Sequence, residues 1–504
     1  MAKPNEKLAE SLRVLKDLQD HGSAVFQTED MSRTHMERLK QAGFIKQVMR
    51  GWYLSSRPGG RDGDTTAWYA AYWEFCKTYL TNRFETAWCL SPQQSLLLHA
   101  GDWTVPNQLL VRAKGASNKS TGLLHGSSIY DVAADLPDAT DQTQLNGLRI
   151  YTLDAALVAV PEAFYRNYPV EARTCLAAVK DASGVLRLLL ENSQVIRAGR
   201  LMGALRSIER NDLADQIESA MVAAGNKVIE TNPFDADAAF AIPLRGVSPY
   251  VNRIRLLWAK MKADIDADFP EPPRQNDPDA YIANMDVVLP SDAYHSLSIE
   301  GYKVSYDLIE KVSSGDWNPD MIESDREQRD ALAAKGYVDA FETVKTSVRD
   351  VMNGENPGEI VKRDLQTWYQ ALFGQSVQAG ILNAAQLAGY RNHPVYIRGS
   401  QHVPLNVEAV RDAMPAFFNL LQEETDVIAR VVLGHFIFVY IHPFPDGNGR
   451  TARFLMNVML AAAGYPWLVI KVEQRDAYMA ALEAASANQD IKPFATFLAE
   501  SLRR

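Results

Sequence analysis

The chain has 504 residues, 47% hydrophobic and 23% charged, proportions ordinary for a globular protein with more than one domain. A formal net charge of -10 excludes wholesale coating of nucleic acid and leaves room only for a local basic patch. Three cysteines, Cys76, Cys89 and Cys175, share no metal-ligand spacing, so free thiols in a reducing cytoplasm are expected.

The amino terminus, "MAKPNEKLAE", is polar and charged, and no secretory signal is expected. "EKLAESLRVLKDLQD" spaces its apolar residues helically, and "SRTHMERLKQAG" is a second helix ending at Gly43. "FIKQVMRGWYLS" alternates like a strand pair. Helix, helix and basic hairpin are the order of a winged helix-turn-helix. Residues 1–60 carry ten Lys plus Arg against seven Asp plus Glu, mildly basic inside an acidic chain. "SSRPGGRDGDT" (55–65) reads as a Gly-rich linker. Residues 61–231 then mix strand-like runs ("NQLLVRAKG", "LNGLRIYTL") with helical ones ("EARTCLAAVKD", "LMGALRSIERNDLADQIESAMVAAG"), an α+β pattern without a catalytic constellation. "GASNKSTG" (115–122) lacks the Gly-Lys-Ser/Thr ending of a phosphate loop.

From 232 to 504 the pattern is mostly helical, with a long loop expected over "DFPEPPRQNDPD". The longest apolar stretch, "FLMNVMLAAAGYPWLVI", is interrupted by Asn457, Gly464 and Pro466 and reads as a buried helix running into a turn, so no membrane span is expected. The fold class is therefore multidomain: a winged helix, an α+β middle domain and an all-α carboxy-terminal domain.

"IHPFPDGNGRTARF" (441–454) places dense polar chemistry directly behind the buried-looking run "VVLGHFIFVY". Pro443 and Pro445 stop the helix that carries His442, and Gly447 and Gly449 permit a tight turn. The chain re-enters a helix at about Asn448–Arg450, whose free N–H groups favour an anion. Arg450, Arg453 and Asn457 share one helical face, and two arginines beside such a nest suit more than one phosphate. Asp446 is a hard oxygen ligand placed to share Mg2+ with those phosphates. His442 could take a proton from an attacking hydroxyl.

The stretch resembles the Fic signature, His-x-Phe-x-Asp/Glu-Gly-Asn-Gly-Arg-x-x-Arg, with His442, Phe444, Asp446, Gly447, Asn448, Gly449, Arg450 and Arg453 at its defining positions. His435, Phe438 and Ile441 upstream fit the family as well. The resemblance implies an all-helical Fic fold over roughly 235–504 and a nucleotidyltransferase that moves AMP from ATP to a protein Tyr, Thr or Ser hydroxyl. It implies His442 as general base, Asp446 as Mg2+ ligand, and Gly447, Asn448 and Gly449, with the Asn448 side chain, on the α-phosphate. Arg450 and Arg453 would hold the outer phosphates, and Phe444 would plug the loop into the core. His435 is expected to be structural.

Two further segments resemble family features. "GYRNHPVYIRGSQHVP" (389–404) is similar to the flap, a hairpin that clamps the target chain by strand addition, with Val395 and Ile397 alternating. "SLSIEG" (296–301) resembles the inhibitory Ser/Thr-x-x-x-Glu-Gly/Asn motif through Ser296, Glu300 and Gly301. A Glu300 carboxylate on Arg453 would remove the γ-phosphate's partner.

The front resembles the winged helix of AbiEi-type antitoxins and related regulators, and the middle segment is compatible with the domain that follows it there. That implies Ser32, Arg33, Thr34 and Arg38 on a recognition helix, with Lys46 and Arg50 on the wing against DNA phosphates. A lone winged helix reads little sequence, so duplex DNA would be bound as a homodimer. The expected partners are thus a protein target and duplex DNA, with no membrane. The competing function is an antitoxin-like transcriptional regulator whose Fic core senses nucleotide. Phosphate transfer and removal of AMP also stay open.

Overall fold

A computed structural model describes residues 4–20, 24–56, 58, 65–191, 193–234, 248–273, 277–313 and 329–503. Most of the Gly-rich linker at 55–65 lies outside the described residues, as do 235–247 behind the expected boundary at 231/232. The chain forms two compact units, Met1–Pro249 with Tyr396–Val403, and Tyr250–Val395 with Pro404–Arg504.

The first unit opens with α1 (Pro4–Asp20), β1 (Val25–Gln27), α2 (Arg33–Gln41), β2 (Ile45–Met49) and β3 (Trp52–Ser55), its strands forming an antiparallel sheet in the order β1-β3-β2. Ser32 starts α2 by accepting a hydrogen bond from the His35 N–H through its hydroxyl. Met36 and Leu39 of α2 are then buried with Leu15, Phe26, Met31 and Ile45. Arg50 and Gly51 make the two-residue turn of the β2–β3 hairpin, with Gly51 at φ 85°. The expected helices and hairpin are all present.

Next come α3 (Thr66–Phe84), β4 (Trp88–Leu90), α4 (Pro92–His99), β5 (Gln108–Ala113), β6 (Lys119–Gly122), β7 (Ser128–Ala133), β8 (Gln142–Leu145) and β9 (Leu148–Tyr151). They give a four-stranded sheet, β4-β5-β7-β6, with only β5 and β7 parallel, and a separate β8–β9 hairpin. The hairpin turns on Asn146 and Gly147, both at positive φ (51° and 79°), as a tight two-residue turn requires. Trp68, Tyr72 and Phe75 of α3 share one core with Trp88, Val111 and Ile150, and also with Val48, Trp52 and Leu54 of the front sheet. Trp52 packs edge-on against Phe75 at 5.6 Å and Tyr79 at 5.8 Å. The loop at 115–122 turns its Ser117 and Lys119 N–H groups onto the Asp131 carboxylate, so it holds an internal acid and no phosphate nest.

The unit closes with α5 (Leu153–Ala159), α6 (Ala163–Asn167), α7 (Pro169–Ala178), α8 (Ser183–Glu191), α9 (Val195–Arg206) and α10 (Asn211–Ala223). The run at 201–225 is two helices, broken where Glu209 takes φ 61°. Periodicity carried across the break and hid it. All three cysteines are free and buried, and burial pushes each thiol up, Cys89 to about 12.

The second unit is helical, with no strand among its described residues. It contains α11 (Pro249–Asp264), α12 (Pro278–Ile299), α13 (Tyr306–Ser313), α14 (Arg329–Met352), α15 (Pro357–Gln378), α16 (Val407–Glu423), α17 (Val427–Ile441), α18 (Asn448–Ala462), α19 (Arg475–Asn488) and α20 (Lys492–Leu502). α17 is apolar nearly all round and therefore central, packed on α16, α18 and α19. α14 and α15 cover α18. Inside this core His435 is fully buried, its Nδ1 3.0 Å from the Ala452 carbonyl and its Nε2 2.8 Å from the Tyr478 hydroxyl. Burial pushes its imidazole down to about 3, so it stays neutral and ties three helices together. No helix among the described residues is long and apolar enough to cross a membrane.

Candidate active site

α17 ends at Ile441, and His442 follows in the left-handed conformation at φ 53°, ψ 61°. That turn swings the chain out of the helix before Pro443. The imidazole Nδ1 lies 3.2 Å from the Val439 carbonyl. A carbonyl only accepts, so Nδ1 carries the proton and Nε2 keeps its lone pair. Burial pushes this histidine down to about 4, against the opposing pull of the Val439 carbonyl. It is a neutral base at physiological pH.

Phe444 is fully buried and stacks on Tyr369 at 3.8 Å with nearly parallel rings, which pins the loop into the core as expected. Asn448 departs from its expected role. Its Oδ1 accepts from the Phe444 N–H at 2.9 Å and its Nδ2 donates to the Phe444 carbonyl at 2.8 Å. The amide is thus turned inward as a clasp on the loop, because two buried backbone groups there lack any other secondary structure. Asn457, on the same helical face as the arginines, is likewise occupied, holding the Leu468 N–H and carbonyl.

Gly447 sits at φ 75° as the residue before α18, and a Cβ there would meet the Phe373 ring at 2.7 Å. The first N–H groups of α18 have no intrahelical carbonyl to serve and converge on one spot. Asp446 lies at the rim, its side chain 62% exposed, accepting from the Gly447 N–H at 2.6 Å and standing 3.6 Å from the Arg450 Nη2. The described residues hold no cluster of three potential metal ligands. A lone exposed carboxylate beside an anion nest still suits Mg2+, which keeps several waters and shares its remaining positions with phosphates.

Arg450 is 1% exposed, its guanidinium 4.9 Å from the Phe373 ring and 5.2 Å from that of Tyr302. Its Nε and Nη2 have no hydrogen-bond partner. Orphaned buried donors on a cation are costly, and an anion would relieve them. Arg453 is different. Its Nε donates to the Ser296 hydroxyl at 2.9 Å, and its Nη2 to the Ser296 carbonyl at 3.1 Å and the Glu300 carboxylate at 2.8 Å. Ser296 lies in the last turn of α12, Glu300 caps it, and Gly301 leaves it at φ 90°. Gly449 makes room for this pair, since a Cβ on it would fall 2.3 Å from the Glu300 carboxylate.

Residues 389–404 form no strand, contrary to the expected hairpin. Pro394 removes one donor, a turn closes from the Ser400 N–H to the Ile397 carbonyl, and Val395 and Ile397 are half-buried. The residue missed in this segment is Arg391. It is buried, donating from Nε to the His442 carbonyl at 2.8 Å and also to the carbonyls of His393 and Leu405, while its own N–H donates to the Pro443 carbonyl at 2.9 Å. It fixes the backbone under the histidine. No spacing rule reveals it, because its partners are backbone carbonyls, 2, 14 and 51 positions away.

Residues 359–460 match the Fic/DOC family. The likeness to that family is carried by this stretch of the chain. The chain is 40% identical over 119 residues to "Protein adenylyltransferase Fic" of Nematostella vectensis, covering 23% of this chain and 27% of that one. It is 28% identical over 214 residues to "Protein adenylyltransferase fic-1" of Caenorhabditis elegans, covering 41% and 38%. The matched stretches thus span well under half the length of those curated relatives. A solved structure of Fic-1 from C. elegans aligns at a TM-score of 0.35 and 20% identity, covering 63% of this chain and 89% of that one.

Proposed function

We propose that the Fic domain transfers AMP from ATP to a hydroxyl on a protein side chain, and that Glu300 restrains it. The observation that carries this reading is Arg450, a buried cation with two donors that make no hydrogen bond, one of them 3.6 Å from the exposed Asp446, at the helix terminus after His442. In the proposed reaction His442 Nε2 takes the proton of the target hydroxyl. The oxygen attacks the α-phosphorus, the bond from that phosphorus to the bridging oxygen breaks, and pyrophosphate leaves with the electron pair. The α18 terminus and Gly447–Gly449 backbone hold the α-phosphate, with Arg450 and Arg453 on the outer ones. Mg2+ at Asp446 would supply charge neutralisation to the triphosphate. Val395 and Ile397 would lie along the target segment.

Incubation of the purified chain with lysate and ATP labelled at either the α- or the γ-phosphate tests the reading. AMP transfer puts the α-label on protein and leaves the γ-label in pyrophosphate. Protein-bound γ-label would mean phosphate transfer. No label of either kind would leave a nucleotide-sensing core.

We further propose that the front of the chain binds duplex DNA as a winged helix, supported by a capped, well-exposed α2 ahead of a hairpin. Arg33 is 90% exposed and held only by Glu37 one turn on, and Arg50 is exposed at the hairpin tip. Two residues assigned to DNA are partly committed elsewhere: Arg38 donates to the Lys7 carbonyl at 3.4 Å, and the Lys46 ammonium lies 3.4 Å from the His125 ring. Arg33 and Arg50 therefore carry the prediction. In gel shifts of the intact chain with genomic fragments, Arg33→Ala and Arg50→Ala each weaken binding several-fold and flatten its salt dependence. Absence of any shift for the wild-type chain at low salt would end this reading.

A further inference from the structure

Beside the catalytic loop lies a cleft of about 490 Å³, walled by Ile381, Asn383, Gln386, Tyr390, Asn392 and Pro445 among others. Pro445 is the only wall residue it takes from the loop that follows His442, and neither His442 nor the arginines of α18 line it. It is thus next to the proposed phosphate site without being part of it. Its floor is rigid, since Arg391 is engaged on three carbonyls and Tyr390 packs on Phe444 at 5.9 Å.

The wall is unusually rich in donors. Asn383 Oδ1 is taken by the Ala385 N–H at 3.0 Å, and Gln386 Oε1 by the Asn383 N–H at 3.0 Å. A backbone N–H can only donate, so both amides are fixed with oxygen inward and nitrogen left over. Asn392 Oδ1 is paired with the His393 ring at 3.1 Å. None of the three amide nitrogens donates a hydrogen bond among the described residues. The sequence adds a second bias: from Leu365 to Val407 there is no aspartate or glutamate, in a chain with 62 acids against 52 bases. The three amide oxygens are engaged, the wall holds no acid, and the amide nitrogens remain.

We propose that this cleft receives a carboxylate side chain of the target protein, close in sequence to the hydroxyl that is modified. The proposal rests on the AMP-transfer reading and names what that reaction selects. Neutral amide and phenol donors suit a monoanionic carboxylate; a polyphosphate would call for free cations, and the guanidinium in the wall is already engaged on carbonyls. Occupation of the cleft would lay the target past Pro445 with its hydroxyl directed toward His442 Nε2.

The test uses two fluorescein-labelled peptides, a tyrosine flanked by Glu and Asp and its counterpart flanked by Gln and Asn. Fluorescence polarisation with the intact chain should give about ten-fold tighter binding of the acidic peptide, as hydrogen bonds to a charged acceptor would supply. Gln386→Glu combined with Asn392→Asp should remove the preference. Gln386→Glu keeps the oxygen that accepts from Asn383, so the turn survives, and circular dichroism checks the fold. Equal binding of the two peptides, or a preference that outlasts the double substitution, overturns the proposal. Polarisation needs no transfer. An acidic preference without any α-label would end the transfer reading and leave the cleft standing, whereas label without preference would end the cleft alone.

Discussion

Replacing Glu300 with glycine raises α-labelling of protein about 30-fold over wild type, seen most readily as self-labelling. The size follows from the pair it removes. The Arg453 guanidinium is almost fully buried and meets the Glu300 carboxylate at 2.8 Å, with Ser296 on its remaining edge. A charge-assisted contact of this kind contributes about 2 kcal/mol, which corresponds to that factor. In the proposed reading, while the pair persists ATP would bind through the α18 terminus and Arg450 with its γ-phosphate lacking Arg453 and its α-phosphate misaligned for in-line attack. Freeing Arg453 restores the alignment. A glycine at a helix end could also act by loosening α12, so Glu300→Gln separates charge from backbone and should recover most of the gain. Glu300→Gly with Arg453→Ala should cancel it. Labelling at the wild-type level in Glu300→Gly, with a responsive target present, would remove Glu300 from its inhibitory role.

Replacing His442 with alanine lowers transfer by about 10²- to 10⁴-fold, the usual contribution of a positioned general base. ATP affinity stays within a factor of two, because the imidazole addresses the hydroxyl and not the phosphates. Isothermal titration with ATP beside the labelling assay makes the split visible. The pH profile is equally specific. The folded-state pKa is lowered, to about 4, so the base remains deprotonated as pH falls through 6.5 and is lost only near 4. Transfer efficiency of the activated Glu300→Gly chain should therefore stay flat from pH 8 to about pH 5.5. An acid limb centred on 6.5 would mean that His442 is exposed and does not hold the environment described.

The most legible parts of the sequence were those where one local pattern had one physical cause. Pro443 and Pro445 can only end a helix, Gly447 makes the turn at φ 75°, and the re-entry at Asn448 came where the spacing put it, although Gly449 lies inside α18 and makes room for Glu300 instead of turning the chain. The contact of Glu300 with Arg453 was expected only from the resemblance of "SLSIEG" to an inhibitory motif, and Ser296 and Glu300, four apart at the end of α12, do both meet Arg453. What stayed hidden depends on distant partners. The inward turn of Asn448 follows from orphaned backbone groups at Phe444, and the place of Arg391 from the carbonyl of His442. Neither has a signature in spacing. The strand expected at 389–404 is absent for the opposite reason, since alternation at Val395 and Ile397 does not produce a strand without a partner ladder.

The front sheet is shared between two cores: Phe26 and Ile45 pack with α1 and α2, while Val48, Trp52 and Leu54 complete the core of α3 and β4. The first sixty residues therefore do not make an exchangeable cassette. A chain cut near position 60 would leave Trp68 and Phe75 exposed on one fragment and Trp52 on the other. Neither piece could report faithfully on the intact chain. Heating should dissolve both sheets in a single cooperative transition, and recombination during evolution would have had to move them together.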